Sequence, residues 1–171
     1  MTALPPNALL IGNAIAFAAA LFTLASAWSR ERGRIYTFQA AQCLLLAVAN
    51  FFFASLSGVT TFVLCTLRNL LLARDRFTGK ICVIFILAVA GIGLAANNRG
   101  LIGLIPVLTT VLYSVGCLYA RRTHAIKANI IVNLMLWAVY DFAVGDLVSC
   151  AVDGLSSLTA VASLFRKNIN T

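Results

Sequence analysis

The sequence predicts an all-α polytopic membrane protein with seven transmembrane helices, arranged as three, one and three. Three observations carry that expectation. Hydrophobic residues make up 61% of the chain and charged residues only 11%, with a mean hydropathy of +0.96. A soluble domain has about 25% charged residues and needs them to cover its exterior. Apolar runs recur along the chain, and a helix crossing a ~30 Å hydrocarbon core needs about 20 such residues. The basic residues fall in alternate breaks between the runs, which gives the chain a cytoplasmic side.

The runs are 7–28, 35–54, 58–73, 79–96, 101–120, 126–143 and 147–165. Between them lie SRERGR, a Ser57-Gly58 turn, RDRFTGK, NNRG, RRTHAIK and a Gly145-Asp146 turn, all ordinary loop signals. Connections this short force neighbouring helices to run antiparallel and leave no room for a second domain. Residues 1–171 are therefore expected to form a single transmembrane domain. The first run is preceded by Pro5 and Pro6 rather than by basic residues, and no small-residue cleavage site follows it, so it reads as a retained span. With the N-terminus outside, the segments 30–34, 74–80, 121–127 and 166–167 face the cytoplasm and hold 11 of the 13 lysines and arginines. Arg99 is exterior, Arg68 lies within a span, and the C-terminus is inside.

The net charge of +8 does not indicate nucleic acid, which needs basic residues gathered on a water-facing surface. Here they come in short bursts that orient the chain against its expected partner, the lipid bilayer. Cys43, Cys65, Cys82, Cys117 and Cys150 all lie in apolar runs, without the C-x-x-C spacing of a zinc site or redox motif. They read as small buried hydrophobes. His124, the one histidine, sits in an arginine-rich loop. Gly91 to Ala96 mimics a dinucleotide fingerprint but follows no strand. Without a nucleophile paired to a base, or a metal set, neither an enzyme nor a cofactor is expected.

Sliding the chain by 91 residues brings out an internal repeat. Leu10-Ile11-Gly12 falls on Leu101-Ile102-Gly103, Thr23 on Ser114, Arg30 on Arg121 and Ile35 on Ile126. Gln42 then falls on Asn133, and Asn50-Phe51 on Asp141-Phe142, after which the register is expected to need a small gap. The repeats would cover about 7–73 and about 101–165, with 79–96 as a linker helix that inverts direction. Parallel repeats about an axis along the membrane normal are a transporter design, with substrate bound near the midplane between them.

Taken in order, TLRNLLLARDR (66–76), AVAGIGLA (88–95), LIPVLTT (104–110) and NLMLWAVYDF (133–142) resemble the YgjV-type family of bacterial inner-membrane proteins. The resemblance spans about 8–166. It implies a multi-pass protein of the bacterial inner membrane, an arginine at the position of Arg68, and distant similarity to the SWEET and PQ-loop superfamily of small-molecule transporters. The three-one-three arrangement is SWEET-like in that sense. The chain departs from the superfamily in lacking the PQ dipeptide: Pro106 is followed by Val107, and Ile15 stands at the matching place in span 1.

Polar residues inside spans are costly and turn inward. Asn129, Asn133, Trp137 and Asp141 recur every four residues along span 6, which places them on one helix face. Gln39, Gln42 and Asn50 form a fainter set on span 2. Span 7 carries Ser149, Asp153, Ser156, Ser157, Ala160 and Ser163, a small-residue face interrupted by one carboxylate. Such stripes serve either as interhelical glue or as the lining of a cavity. Arg68 lies six residues, or ~9 Å of helix, before Arg74. It either snorkels to the interface or, with Asn69, faces a wet pocket between spans 3 and 7.

The expected function is a facilitative or ion-coupled transporter of a small polar or anionic solute. The candidate solute-binding residues are Arg68, Asn69, Asn133, Trp137, Asp153, Asn50 and Asp141. A non-transporting receptor or assembly factor is the alternative.

Overall fold

The computed structural model describes residues 6–29, 31–119 and 123–165. Arg30, Arg121, Arg122, Arg166 and Lys167, which the charge argument uses, lie outside the described residues, as do the side chains of Arg32, His124 and Lys127. The described chain is helical throughout: α1 Ala8–Trp28, α2 Arg32–Phe52, α3 Leu56–Ala73, α4 Gly79–Ala95, α5 Ile105–Tyr119, α6 Thr123–Val144 and α7 Leu147–Phe165, with one 3-10 turn, Ile102–Leu104, leading into α5. Each apolar run becomes one helix. By length and composition α1, α2, α3 and α5 with its preceding turn can each cross a membrane. The apolar stretches of α4, α6 and α7 are shorter, Gly79–Ala95, Ala128–Val144 and Leu147–Leu158.

Helix α6 begins at Thr123 rather than 126 and α5 at Ile105 rather than 101, behind the 3-10 turn, and two further boundaries differ from expectation for physical reasons. Helix α2 begins at Arg32 rather than 35, because arginine is a good helix former and the apolar run marks only the embedded part. The expected Ser57-Gly58 turn is not a turn. The chain reverses at Phe53 to Ser55, and Ser57 and Gly58 already belong to α3. Glycine is needed there for space: a Cβ on Gly58 would stand 2.0 Å from Asn50 Oδ1 and 2.5 Å from the Tyr140 hydroxyl.

The α2–α3 and α6–α7 turns are built alike, at an offset of 91 residues. Ser55 N donates to Asn50 O at 3.0 Å and Ala54 N to Phe51 O at 3.2 Å; Asp146 N donates to Asp141 O at 2.9 Å and Gly145 N to Phe142 O at 3.3 Å. These paired bonds close each helix with a Schellman motif, whose penultimate position takes a left-handed backbone. Ala54 has φ 54° and Gly145 φ 87° accordingly. Each turn then caps the next helix with a side-chain oxygen: Ser55 Oγ accepts from Gly58 N at 3.2 Å, and Asp146 Oδ1 from Ser149 N at 2.9 Å. The gap expected after Phe51 and Phe142 is absent; the register runs on through both turns.

Helix α1 packs on α2 and α7, α2 on α3, and α3 on both α4 and α5; α5 packs on α4 and α6, and α6 on α7. The bundle is apolar outside and polar within. Leu10, Leu87, Leu101, Phe142 and Leu158 are each more than half exposed, while Asn50, Ser55, Thr61, Thr109, Ser114 and Asp146 are fully enclosed. A soluble bundle would collapse such an exterior into its core. Hydrocarbon is the solvent that suits it.

Gly58→Ala tests the packing of the α2–α3 hairpin. The added methyl must displace Asn50 or Tyr140, and overpacking of that kind costs about 1–3 kcal/mol. The purified variant should melt several degrees lower, whereas Gly154→Ala, with nothing within 4 Å, should melt as wild type.

Candidate functional site

Arg68 and Asn69 lie past the middle of α3, Arg68 on the face that meets α4 and α5 and Asn69 reaching α2. Arg68 is 5% exposed and Asn69 1%, so the guanidinium does not snorkel. Its Nε and Nη2 donate to Asn69 Oδ1 at 3.2 and 3.1 Å, and Nη1 donates to Ser114 Oγ of α5 at 3.2 Å. The charge lies 4.7 Å from the Tyr113 ring centroid and 6.0 Å from that of Phe85, within cation–π range. All of these partners are neutral. Burying an ion without a counter-ion is expensive, and two aromatic faces with three hydrogen bonds offset that cost here. The pocket expected between spans 3 and 7 is not where Arg68 points, because its side of α3 is covered by α4 and α5.

Three cysteines close the same region. Asn69 Nδ2 donates to Cys43 Sγ at 3.5 Å, Cys65 Sγ meets Thr110 Oγ1 at 3.5 Å, and Cys82 Sγ donates to Ser114 O at 3.8 Å. They are buried and unlinked, as small hydrophobes would be, yet each bonds a polar group around the arginine. Spacing along the sequence gave no sign of this, since they come from three helices.

The stripe on α6 divides between neighbours. Asn129 Nδ2 donates to Tyr113 O at 3.2 Å, and Asn133 Oδ1 accepts from Thr109 Oγ1 at 3.0 Å. Both asparagines bind α6 to α5. Trp137 stacks on Phe62 of α3 with centroids 4.4 Å apart and meets Tyr140 edge-on at 5.5 Å. Asn50 is enclosed at the end of α2, donating to Leu46 O at 3.0 Å and accepting from the Tyr140 hydroxyl at 3.1 Å. That hydroxyl also bonds Ser55 Oγ, so Tyr140 ties α6 to the α2–α3 turn. Sequence reasoning passed over Tyr140, although it adjoins Asp141.

Asp141 and Asp153 form a separate group with Asp146, near the α6–α7 turn. Asp141 is 2% exposed and Asp153 7%, and the three carboxyls are close enough for their charges to interact. Asp146 lies in the turn itself, where burial raises its carboxyl above the ordinary value against the opposing effect of the bonds from Ser149. Asp153 lines a small cavity between α1, α2 and α7. The seven candidate residues thus fall into three places: the guanidinium at the α3–α5 seam, the polar and aromatic links of α6, and the carboxylates beside the α1–α7 seam.

Both seams are clamped by an asparagine at the end of the bundle that carries the α2–α3 and α6–α7 turns. Asn98, from the α4–α5 connection, donates to Ala54 O at 2.8 Å and accepts from Leu56 N at 3.3 Å. Arg99 adds a bond to Phe53 O. Asn13 of α1 donates to Gly145 O at 3.2 Å and accepts from Val148 N at 3.2 Å. Each side chain bridges the carbonyl of a left-handed turn residue and an amide in the first turn of the following helix.

A family model described as Imp-YgjV, a bacterial inner membrane protein, matches residues 10–170. No curated protein and no solved structure matches the chain.

The packing of Trp137 sets an expectation for its removal. Large-to-small changes at buried aromatics cost about 3–5 kcal/mol, so Trp137→Ala should lower the melting temperature or the yield of folded protein sharply. Trp137→Phe, which keeps a ring against Phe62, should recover most of it. Equal melting of all three would mean the indole is not a packing element.

Proposed function

We propose that this chain, which belongs to the Imp-YgjV family of bacterial inner-membrane proteins, moves a small polar or anionic solute across the membrane. The observation that carries the proposal is Arg68, a buried guanidinium with neutral partners at a seam between two triplets of helices. A positive charge so placed raises the local potential and favours an anion or a hydrogen-bond acceptor.

The fold is read as seven spans in a three-one-three arrangement, with α1–α3 and α5–α7 as parallel repeats and α4 as the linker. The alike turns at an offset of 91 residues support this. So does the packing, since an axis exchanging α1 with α5 and α3 with α7 turns the α1–α7 contact into the α3–α5 contact. Repeats that meet at two seams can rock against each other and alternate access to a site between them. The clamps by Asn13 and Asn98 would hold one end shut. The distribution of lysine and arginine favours that end as the exterior, with the N-terminus out and the C-terminus in.

A second reading, a receptor or assembly factor that binds without transport, is favoured by the tight packing of Arg68 against Tyr113 and Ser114. A solute must displace one of these to reach the charge. Flux separates the readings, because a receptor binds a ligand without carrying it through.

The topology has a direct test. Reporter fusions after Arg34, Lys80, Lys127 and Thr171 should report cytoplasm, and fusions at Ser57, Asn98 and Gly145 periplasm; two or more reversed sites would undo the arrangement.

The solute role is tested with Arg68→Met and Arg68→Lys in proteoliposomes, against a panel of radiolabelled small organic anions. An apolar residue of similar volume in place of a buried ion is often neutral for stability, so Arg68→Met should fold, yet carry less than a tenth of the wild-type flux. Arg68→Lys lacks the forked donor set and should fall between. Wild-type flux in Arg68→Met would sink the assignment.

A further inference from the structure

The cavity beside Asp153 has about 10 Å³ of free space, room for roughly one water-sized particle. Ala16, Ala19 and Ala20 of α1 form one wall, and Gln42 and Leu46 of α2 another. The oxygen-bearing side chains of Ser149 and Asp153 complete it from α7, one helical turn apart on the same face. Asp153 is 7% exposed. Among the described residues no hydrogen-bond donor and no cation reaches its carboxylate.

The other half of the molecule supplies an internal control. At the offset of 91 residues, Asp153 corresponds to Phe62 and Leu46 to Trp137, and those two rings stack at 4.4 Å. Where the fold needs only packing at this place, it fills the space with aromatic rings. In the α1–α7 half it leaves a hole and turns a carboxylate into it. A packing defect would be lined by apolar atoms and need no acid, whereas an unpaired buried carboxylate costs several kcal/mol unless neutralised.

We propose that this cavity takes up one small monovalent cation, a proton on Asp153 or a sodium ion beside it, with Gln42 and Ser149 as neutral oxygen partners. A hard cation of this kind takes oxygen ligands, and a single carboxylate balances its charge. The charged neighbours are Asp141 of α6 and Asp146 of the turn; the walls from α1 and α2 carry none. The negative groups all favour uptake of a cation. Its position against α1 and α2 lets occupancy control how closely α7 approaches the first triplet. A coupling role rests on the transport reading above; the cation site does not.

The test uses full-length protein in nanodiscs, comparing wild type with Asp153→Asn, a near-isosteric change, and with Glu31→Gln, an exposed carboxylate outside the cavity, as a control. Melting is followed as sodium chloride replaces choline chloride at fixed pH. Protonated carboxyls are followed by infrared difference spectroscopy over a pH series without sodium. If sodium is the ligand, wild type and Glu31→Gln should gain stability in proportion to the logarithm of its concentration, and Asp153→Asn should gain none. If the proton is the ligand, sodium should do nothing, and one titrating carboxyl band should vanish in Asp153→Asn alone. Absence of both effects, or their persistence in Asp153→Asn, overturns the site. Should the site hold while the flux assay fails, only the transport reading falls.

Discussion

Polar groups inside this bundle have little but one another to bond to, and most of the architecture follows from that constraint. Hydrocarbon outside supplies neither donors nor acceptors, so a lipid-facing chain must satisfy its backbone within itself. Helices do this along their lengths and fail at their ends. The Schellman turns at Ala54, Asp75 and Gly145, the side-chain caps from Ser55 and Asp146, and the bridging asparagines Asn13 and Asn98 all act at such ends. Within the helices, Thr66 Oγ1 donates to Phe62 O at 2.9 Å and Thr60 Oγ1 to Leu56 O at 3.0 Å, folding their hydroxyls back on the preceding turn. Arg68 is the extreme case. Among the described residues it is hydrogen-bonded by Asn69 and Ser114 and flanked by two ring faces, with no carboxylate partner.

The same constraint makes departures from the 91-residue correspondence informative. Asn50 and Asp141 share a position at the offset of 91, but Tyr140, which satisfies Asn50, corresponds to Ala49. Asp141 therefore has no matching hydroxyl from the other half. Thr23 and Ser114 also share a position, and both return their hydroxyls to the carbonyl four residues earlier, at 3.5 and 2.6 Å. Only Ser114 also receives the guanidinium, because Arg68 corresponds to Thr159. The turns keep the common backbone, and the side chains along the seams differentiate the halves.

Much of the fold was legible because membrane helices write themselves as apolar length. Every run became a helix, with ends within about three residues. The misplaced turn at Ser57-Gly58 shows the limit of that legibility: a Ser-Gly pair signals chain reversal in water, but between packed helices the same glycine makes room for Asn50 and Tyr140. Position along a helix also says nothing about which neighbour a face will meet. The i+4 spacing correctly put Asn129, Asn133 and Trp137 on an inner face, yet could not tell that the first two would meet α5 and the third Phe62. Tyr113, Ser114 and the three thiols around Arg68 were illegible for the same reason: they converge from different helices.

Arg68 and Asp153 stand at different seams, and that separation bears on mechanism. Arg68 reaches from α3 to Ser114 of α5, while Asp153 of α7 lines a cavity against α1 and α2. Had the two side chains met, they would have neutralised each other in a static salt bridge, and the bundle would gain rigidity at the expense of any response to ligand. Kept apart, each is a charge whose compensation must come from elsewhere: an acceptor for the guanidinium, a cation for the carboxylate. An equilibrium between conformers is shifted only by a ligand that binds one of them better. In the transport reading proposed above, α1–α3 rocking against α5–α7 would open one seam's packing relative to the other's, and ligands bound at opposite seams would bias that motion through separate contacts. On that reading a negative solute and a positive ion would be coupled without touching, through the angle between the two proposed triplets.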